Sequence, residues 1–226
     1  LFRSPVNYDE HVSFLPFNDI EVLKANGLTD AYVRAIAFRG AGEEMGVAAM
    51  ANPVRLAIAC WTWGAYYGDA KFKGAKLDIS KWKRPSPETI PSSAKASGLY
   101  MICTMSKHAA MAKGCSDAMM YDYRGYVAEA TGANIFFVKN GEVHTPKADA
   151  FLNGITRQTV IQMLKDMQIV VHERHIMPEE LSGFEQCWLT GTAAEVTPVG
   201  QIGEYMFEVG DLTKRVATEY EKLVRA

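Results

Sequence analysis

The chain has 226 residues, 48% of them hydrophobic and 22% charged, with a formal net charge of −2. That length can bury a sizeable core and fits one large domain or two smaller ones. The balance contains no basic run, which argues against nucleic acid as a partner because phosphate-backbone binding needs a concentrated positive patch. No apolar run reaches membrane-spanning length, which argues against a membrane partner. The four cysteines form no C-x-x-C pair and lie in or beside apolar runs, as buried thiols of a reducing, cytoplasmic compartment do. Among the five histidines, His172 and His175 are three apart on a strand-like run and face opposite ways, so no metal site is expected.

Residues 1–17 have neither helical nor strand periodicity, and the chain begins without methionine. Asn18 or Asp19 is placed to cap a short helix that Gly27 ends. AYVRAIAFR (31–39), with Arg34 among apolar neighbours, and VRLAIACW (54–61) read as strands. WTWGAYYGD (61–69) breaks the pattern with two glycines among aromatics and reads as a connector between domains. AKLDISKWK (75–83) alternates as a strand does, and the proline-rich RPSPETIP (84–91) forms a rigid turn.

A helix is predicted over 98–113, ended by Gly114, and a strand over 116–122. Asn140-Gly141 joins two β-runs as a hairpin. A helix begins near Thr156 with Val160, Ile161 and Leu164 on its apolar face, followed by a strand over 169–176 and a short helix at Pro178. Residues 185–203 read as strand, small-residue loop, strand. Asp211 caps a final helix with Leu212, Val216, Tyr220 and Leu223 on one side. The eleven methionines read as core filler. Helices and strands are mixed throughout.

Three stretches carry the chemistry. Lys95 lies among small residues, Ser92-Ser93-Ala94 before it and Ala96-Ser97-Gly98 after it, so a ligand could approach closely. Burial in a pocket would favour its neutral amine, the form that attacks carbonyls. Gly154-Ile155-Thr156 leads into a helix, where free amides, the helix dipole and a hydroxyl can hold an anion. Gly191-Thr192-Ala193-Ala194 exposes backbone amides after a strand and offers a second anion cup. Two such cups beside a carbonyl-reactive lysine suit a phosphorylated aldehyde. Glu129, among small apolar residues, needs either an arginine or a cationic ring nitrogen as a partner.

In that order, IPSSAKASGLY, GYVAEATGANIFF, LNGITRQTV and LTGTAAEVTPV closely resemble the class IV (fold-type-IV) pyridoxal-phosphate aminotransferases, specifically the branched-chain group. The resemblance runs from about Asn26 to the C-terminus. It implies an α+β fold in two domains: the remainder of a small α/β domain over 1–61, a connector over 62–72, and a larger β-barrel-like, cofactor-binding domain flanked by helices over 73–226. It implies pyridoxal 5′-phosphate as cofactor, with Lys95 as its Schiff-base lysine, Tyr100 near the ring oxygen, Glu129 on the ring nitrogen and Leu152 against the ring. Gly154, Ile155, Thr156, Gly191 and Thr192 would bind the phosphate. Arg34, Tyr66, Thr192, Ala193 and Ala194 would grip substrate carboxylates, and Trp63 would wall the side-chain pocket.

The implied reaction moves an amino group between leucine, isoleucine or valine and 2-oxoglutarate, in a homodimer or higher homo-oligomer. The family's chain also continues upstream of Leu1, with an arginine on the cofactor phosphate; on this reading the given chain lacks that segment. D-amino acid aminotransferases and aminodeoxychorismate lyases share the fold but differ around these positions. A cofactor-free Schiff-base aldolase would need neither Glu129 nor two anion cups. An inactive relative that keeps the fold is the remaining alternative.

Overall fold

The computed structural model describes residues 19–42, 46–64 and 73–225, in two units, Leu1–Gly64 and Ala65–Ala226. In the first unit, helix α1 (Asp19–Ala25) gives way to Gly27 at φ +65°, a conformation open to glycine at little steric cost. Strands β1 (Tyr32–Arg39) and β2 (Val54–Trp61) pair antiparallel along their whole length, with Tyr32 opposite Trp61 and Arg39 opposite Val54. The connector expected over 62–72 lies largely outside the described residues.

The second unit is built on a sheet that closes on itself. Its strands are β3 (Ala75–Ile79), β4 (Asp117–Tyr121), β5 (Val127–Ala130), β6 (Asn134–Lys139), β7 (Glu142–Pro146), β8 (Val171–Arg174), β9 (Gln186–Gly191), β10 (Glu195–Ile202) and β11 (Tyr205–Met206). Neighbours run β10-β3-β4-β5-β6, and β9 pairs with both β6 and β10, completing a ring. β3 meets β10 and β4 in parallel, whereas the β4–β5, β5–β6, β6–β9 and β9–β10 pairs are antiparallel. β7 and β8 extend from β6, and β11 from β10.

Strand β6, NIFFVK, shows why the sequence lacks alternation here. Ile135 and Phe137 belong to one core with Leu77, Met119 and Leu189, while Phe136 and Val138 belong to a second core with Trp188. A strand buried on both faces reads as a continuous apolar run. The second core is closed by helices α3 (Ile155–Asp166) and α4 (Asp211–Arg225), through Val160, Ile161 and Leu164 on the former and Val216 and Tyr220 on the latter. The i, i+1, i+4 spacing puts the first three on one helix face, and full burial of each contributes about 1.5–3 kcal/mol. Phe136 and Trp188 stack across β6 and β9 with centroids 5.4 Å apart.

Helix α2 (Tyr100–Met111) crosses from β3 to β4, preceded by a 3-10 turn over Ser97–Leu99 and followed by Gly114 at φ +73°. Asn140 and Gly141, both at positive φ, make the expected hairpin between β6 and β7. Several boundaries differ from the sequence expectation. β3 stops at Ile79, because Ser80 Oγ accepts the Trp82 amide and donates to the Trp82 carbonyl, turning the chain. Leu223 is exposed rather than part of the buried face of α4. Met119 and Met120 are core residues, but Met101, Met105 and Met111 on α2 stand exposed. No helix among the described residues is long and apolar enough to cross a membrane.

Candidate active site

The site grows from the turn between β5 and β6. The Ala130 amide donates to the Ala133 carbonyl at 2.8 Å, which returns the chain so that Glu129 lies directly opposite Asn134. Asn134 is in turn opposite Thr190 on β9. Directly opposed residues share a sheet face, so Glu129, Asn134 and Thr190 form a polar row across three strands. The turn is held from beneath by fully buried Asp117, which accepts hydrogen bonds from the Thr131 hydroxyl and the Ala118 amide, with Lys107 Nζ at 3.5 Å.

Glu129 is buried, with Asn134 Nδ2 donating to its Oε2 at 3.1 Å and Arg84 Nε 3.3 Å from its Oε1. The arginine partner is therefore present. Yet Arg84 Nε makes no hydrogen bond of good geometry, and its Nη1 donates instead to the Leu99 carbonyl and to Cys103 Sγ. Burial pushes the Glu129 carboxyl up to about 7, against the opposing charges of Arg84 and Lys95. The same burial raises the Cys103 thiol to about 11, so this cysteine is an inert neighbour.

Lys95 precedes the 3-10 turn and is exposed, not sealed in a pocket, with its Nζ 6.0 Å from the Tyr100 ring centroid. Tyr100 opens α2, partly exposed. Arg84 connects these parts, since one side chain reaches from Glu129 to the carbonyl of Leu99.

Both expected anion cups flank the start of β6. Gly154 is extended (φ −62°, ψ 145°) at the N-cap of α3, with no side-chain cap, so the amides of the first turn keep their partial positive charge. The Gly154 amide itself donates to Asn134 Oδ1 at 3.1 Å, and the Leu152 carbonyl accepts from Asn134 Nδ2 at 2.9 Å. Ile155 is exposed. The Thr156 hydroxyl is buried 3.4 Å from the Tyr220 hydroxyl, within the packing of α3 on α4 rather than at the helix start. Gly191, Thr192, Ala193 and Ala194 form the turn from β9 to β10, and a Cβ on Gly191 would meet the Gly132 carbonyl at 3.4 Å.

In the first unit, Arg34 and Trp63 come together. The Arg34 guanidinium lies 5.3 Å from the Tyr32 ring centre and 5.5 Å from that of Trp61, and Trp63 packs on both rings. Tyr66 lies outside the described residues.

Sequence reading missed Arg84, Asn134 and Thr190. Each had a faint signal, a polar residue beside or within a strongly apolar or proline-rich run. It also missed a trio on β7 and β8, where the ligand atoms of Glu142, His144 and His172 lie within 4.8 Å of one another. His144 and His172 are register partners with stacked rings, while His175 instead meets Tyr126 and Asp149. Arg174 Nε donates to His144 Nδ1, and Glu142 bonds His172, so the trio is already hydrogen-bonded.

The residues fit a phosphorylated pyridine aldehyde. The buried Glu129 carboxylate meets Arg84 in poor hydrogen-bond geometry, the buried Thr190 hydroxyl in the same row has no hydrogen-bond partner, and an uncapped helix start lies beside them. Residues 20–202 match the family model for amino-transferase class IV. A Rickettsia conorii protein named probable branched-chain-amino-acid aminotransferase is 36% identical over 223 residues, covering 93% of this chain and 75% of its own length. The branched-chain aminotransferase of Thermoproteus uzoniensis, crystallised with norvaline, superposes with a TM-score of 0.85 at 32% identity, over 91% of this chain and 68% of that one. An aminotransferase from Brucella abortus, crystallised with the cofactor PLP bound, gives 0.81 at 32% identity, over 92% and 75%. With most of its length matched by one family model and by relatives above 30% identity, this chain belongs to the class IV aminotransferases.

Proposed function

We propose that this aminotransferase exchanges amino groups between branched-chain L-amino acids and 2-oxoglutarate, using pyridoxal 5′-phosphate. The observation that carries the reading is the row of Glu129, Asn134 and Thr190 ending at the uncapped start of α3. When bound, the cofactor supplies an electron-withdrawing ring that spreads the negative charge developing on the substrate α-carbon. Glu129, if it carries its charge, would hold the proton on the ring nitrogen. Leu152 would pack on the ring, Tyr100 would bond its oxygen, and the amides at Gly154, Ile155, Thr156, Gly191 and Thr192 would hold the phosphate.

Lys95 is the attachment point and the proton carrier. Released from its bond by the incoming amino group, its Nζ would take the proton from the substrate α-carbon and deliver one to the carbon it had been bonded to, acting as base and then acid. Its small neighbours leave room for that movement. Arg34, Trp63 and Tyr66, with Thr192, Ala193 and Ala194, are assigned to the substrate. Arg34 would take the distal carboxylate of glutamate or 2-oxoglutarate, and the aromatic residues the branched chain. We read the protein as cytoplasmic and at least homodimeric. Its free cysteines support the first reading and the exposed methionines of α2 the second.

The purified chain should show an absorption band near the visible edge that borohydride abolishes and Lys95→Ala lacks. L-Leucine with 2-oxoglutarate should yield glutamate, whereas D-alanine and aminodeoxychorismate should not react. A chain whose spectrum is unchanged by pyridoxal phosphate would sink this reading.

A further inference from the structure

We propose that Asn134 is a positioning residue that couples the two ends of the cofactor site, so that a change beside the phosphate at Gly154 is felt at the Glu129 carboxylate. This rests on the pyridoxal-phosphate reading for its biological meaning, though not for its geometry. An asparagine amide has two N–H donors and one carbonyl acceptor. Here both donors are used, on Glu129 Oε2 at 3.1 Å and the Leu152 carbonyl at 2.9 Å, and the acceptor takes the Gly154 amide at 3.1 Å. Two acceptors on one side and a donor on the other fix the orientation of the amide. Aspartate, with acceptors only, would face two further oxygens.

The arrangement has no slack. A Cβ built on Gly154 would lie 2.4 Å from Asn134 Oδ1, so even one methyl there must displace the amide. The Asn134 backbone cannot follow, because its strand is pinned between Glu129 on β5 and Thr190 on β9. The side chain must then shift, and the longer of its two donated bonds, to Glu129, is weakened. Leu152 and Gly154 bracket the link into α3, so this one amide also sets where the helix starts relative to the carboxylate. Arg84 from the loop after β3, Lys95 from the loop before α2 and Cys103 on α2 are the charged and titratable groups facing Glu129.

The test follows the carboxyl stretching band of Glu129, identified by its loss in Glu129→Gln, in the full chain stripped of cofactor. Its titration midpoint is compared in wild type, Asn134→Asp, Asn134→Ala, Gly154→Ala and the Asn134→Ala/Gly154→Ala pair. A lost hydrogen bond to the charged form should raise the midpoint by about one pH unit in Asn134→Ala, and Asn134→Asp, which also sets a second carboxylate beside the first, should raise it by more. Gly154→Ala should move it by about half a unit in wild type and not at all in the Asn134→Ala background, where the oxygen it strikes is gone. Circular dichroism checks each fold, and the near-isosteric Asn134→Asp guards against a variant that merely unfolds. A midpoint unmoved in Asn134→Ala, or a Gly154→Ala shift that persists without Asn134, would overturn the coupling. In loaded protein, Asn134→Ala should bind pyridoxal phosphate about tenfold more weakly, the same free energy seen at the other end. Failure of the wild type to take up pyridoxal phosphate would remove the cofactor reading and leave the midpoint result to decide the coupling on its own.

Discussion

Glu129 and Asp149 each lie beside an arginine, and their carboxyl groups respond in opposite directions. Burial works against the Asp149 charge too, but hydrogen bonds from Arg124 and His175 outweigh it and hold the group below its ordinary range. Arg124 gives Asp149 two bonds, at 2.6 and 3.2 Å, on a partly exposed surface. Arg84 Nε stays 3.3 Å from Glu129 and turns its Nη1 to the Leu99 carbonyl and Cys103. Glu129 is almost fully buried whereas Asp149 is partly exposed, so Glu129 carries the larger burial penalty with the less well aimed arginine. Asp149 is fully hydrogen-bonded to its arginine, whereas Glu129 meets its arginine at 3.3 Å without a good hydrogen bond.

The largest test of that contrast is Lys95→Ala, which removes both the proposed proton carrier and one of the two cations facing Glu129. Turnover should fall by at least about 10³-fold, measured as glutamate formed, and the Glu129 midpoint should rise. Next, Arg84→Met removes the arginine and leaves the buried carboxylate with the Asn134 amide. By urea melt it should cost up to about 1.4 kcal/mol more at pH 8 than at pH 5, because a carboxyl at about 7 takes up a proton rather than stay charged without its cation. An equal cost at both values would mean that Arg84 acts only through packing.

A third prediction concerns the cofactor-free wild type. The folded-state carboxyl is raised from 4.5 to about 7. The stabilisation it gives is thus complete below pH 4.5 and lost as pH rises to 7, by up to about 3 kcal/mol. Glu129→Gln should flatten that slope, and a slope that survives would place its origin elsewhere. The smallest effect belongs to Asp149→Asn. A depressed carboxyl stabilises above its unfolded value and loses that contribution as pH falls, so the variant should cost under about 1 kcal/mol at pH 7 and nothing near pH 2.

Local chemistry made much of the fold legible. Asn140-Gly141 announced its hairpin, Gly27 and Gly114 their helix ends, and Val160, Ile161 and Leu164 the buried face of α3. The lysine, the carboxylate and the two small-residue segments proposed to hold an anion were visible as residues with unusual neighbours. What stayed hidden was pairing. Asn134 meets Thr190 only because β6 and β9 pair across more than fifty positions of chain, and His144 meets His172 only through the parallel β7–β8 register. Arg84 reads as a loop residue until the chain folds it over Glu129. The two-residue strand β11 has no pattern long enough to detect.

Strand β10 touches β9, β3 and β11, and its parallel contact with β3 joins Ala75 to Val199. A nascent chain exposes the hydrogen-bonding edge of β3 long before its partner exists. At ordinary elongation rates the intervening 120 or so residues take on the order of ten seconds to make. Throughout that time an apolar strand edge is open to other chains. The ring, and with it the outer wall of the polar row, is completed only when β10 emerges. Where one strand falls in the reading order thus sets how long that edge waits for its partner.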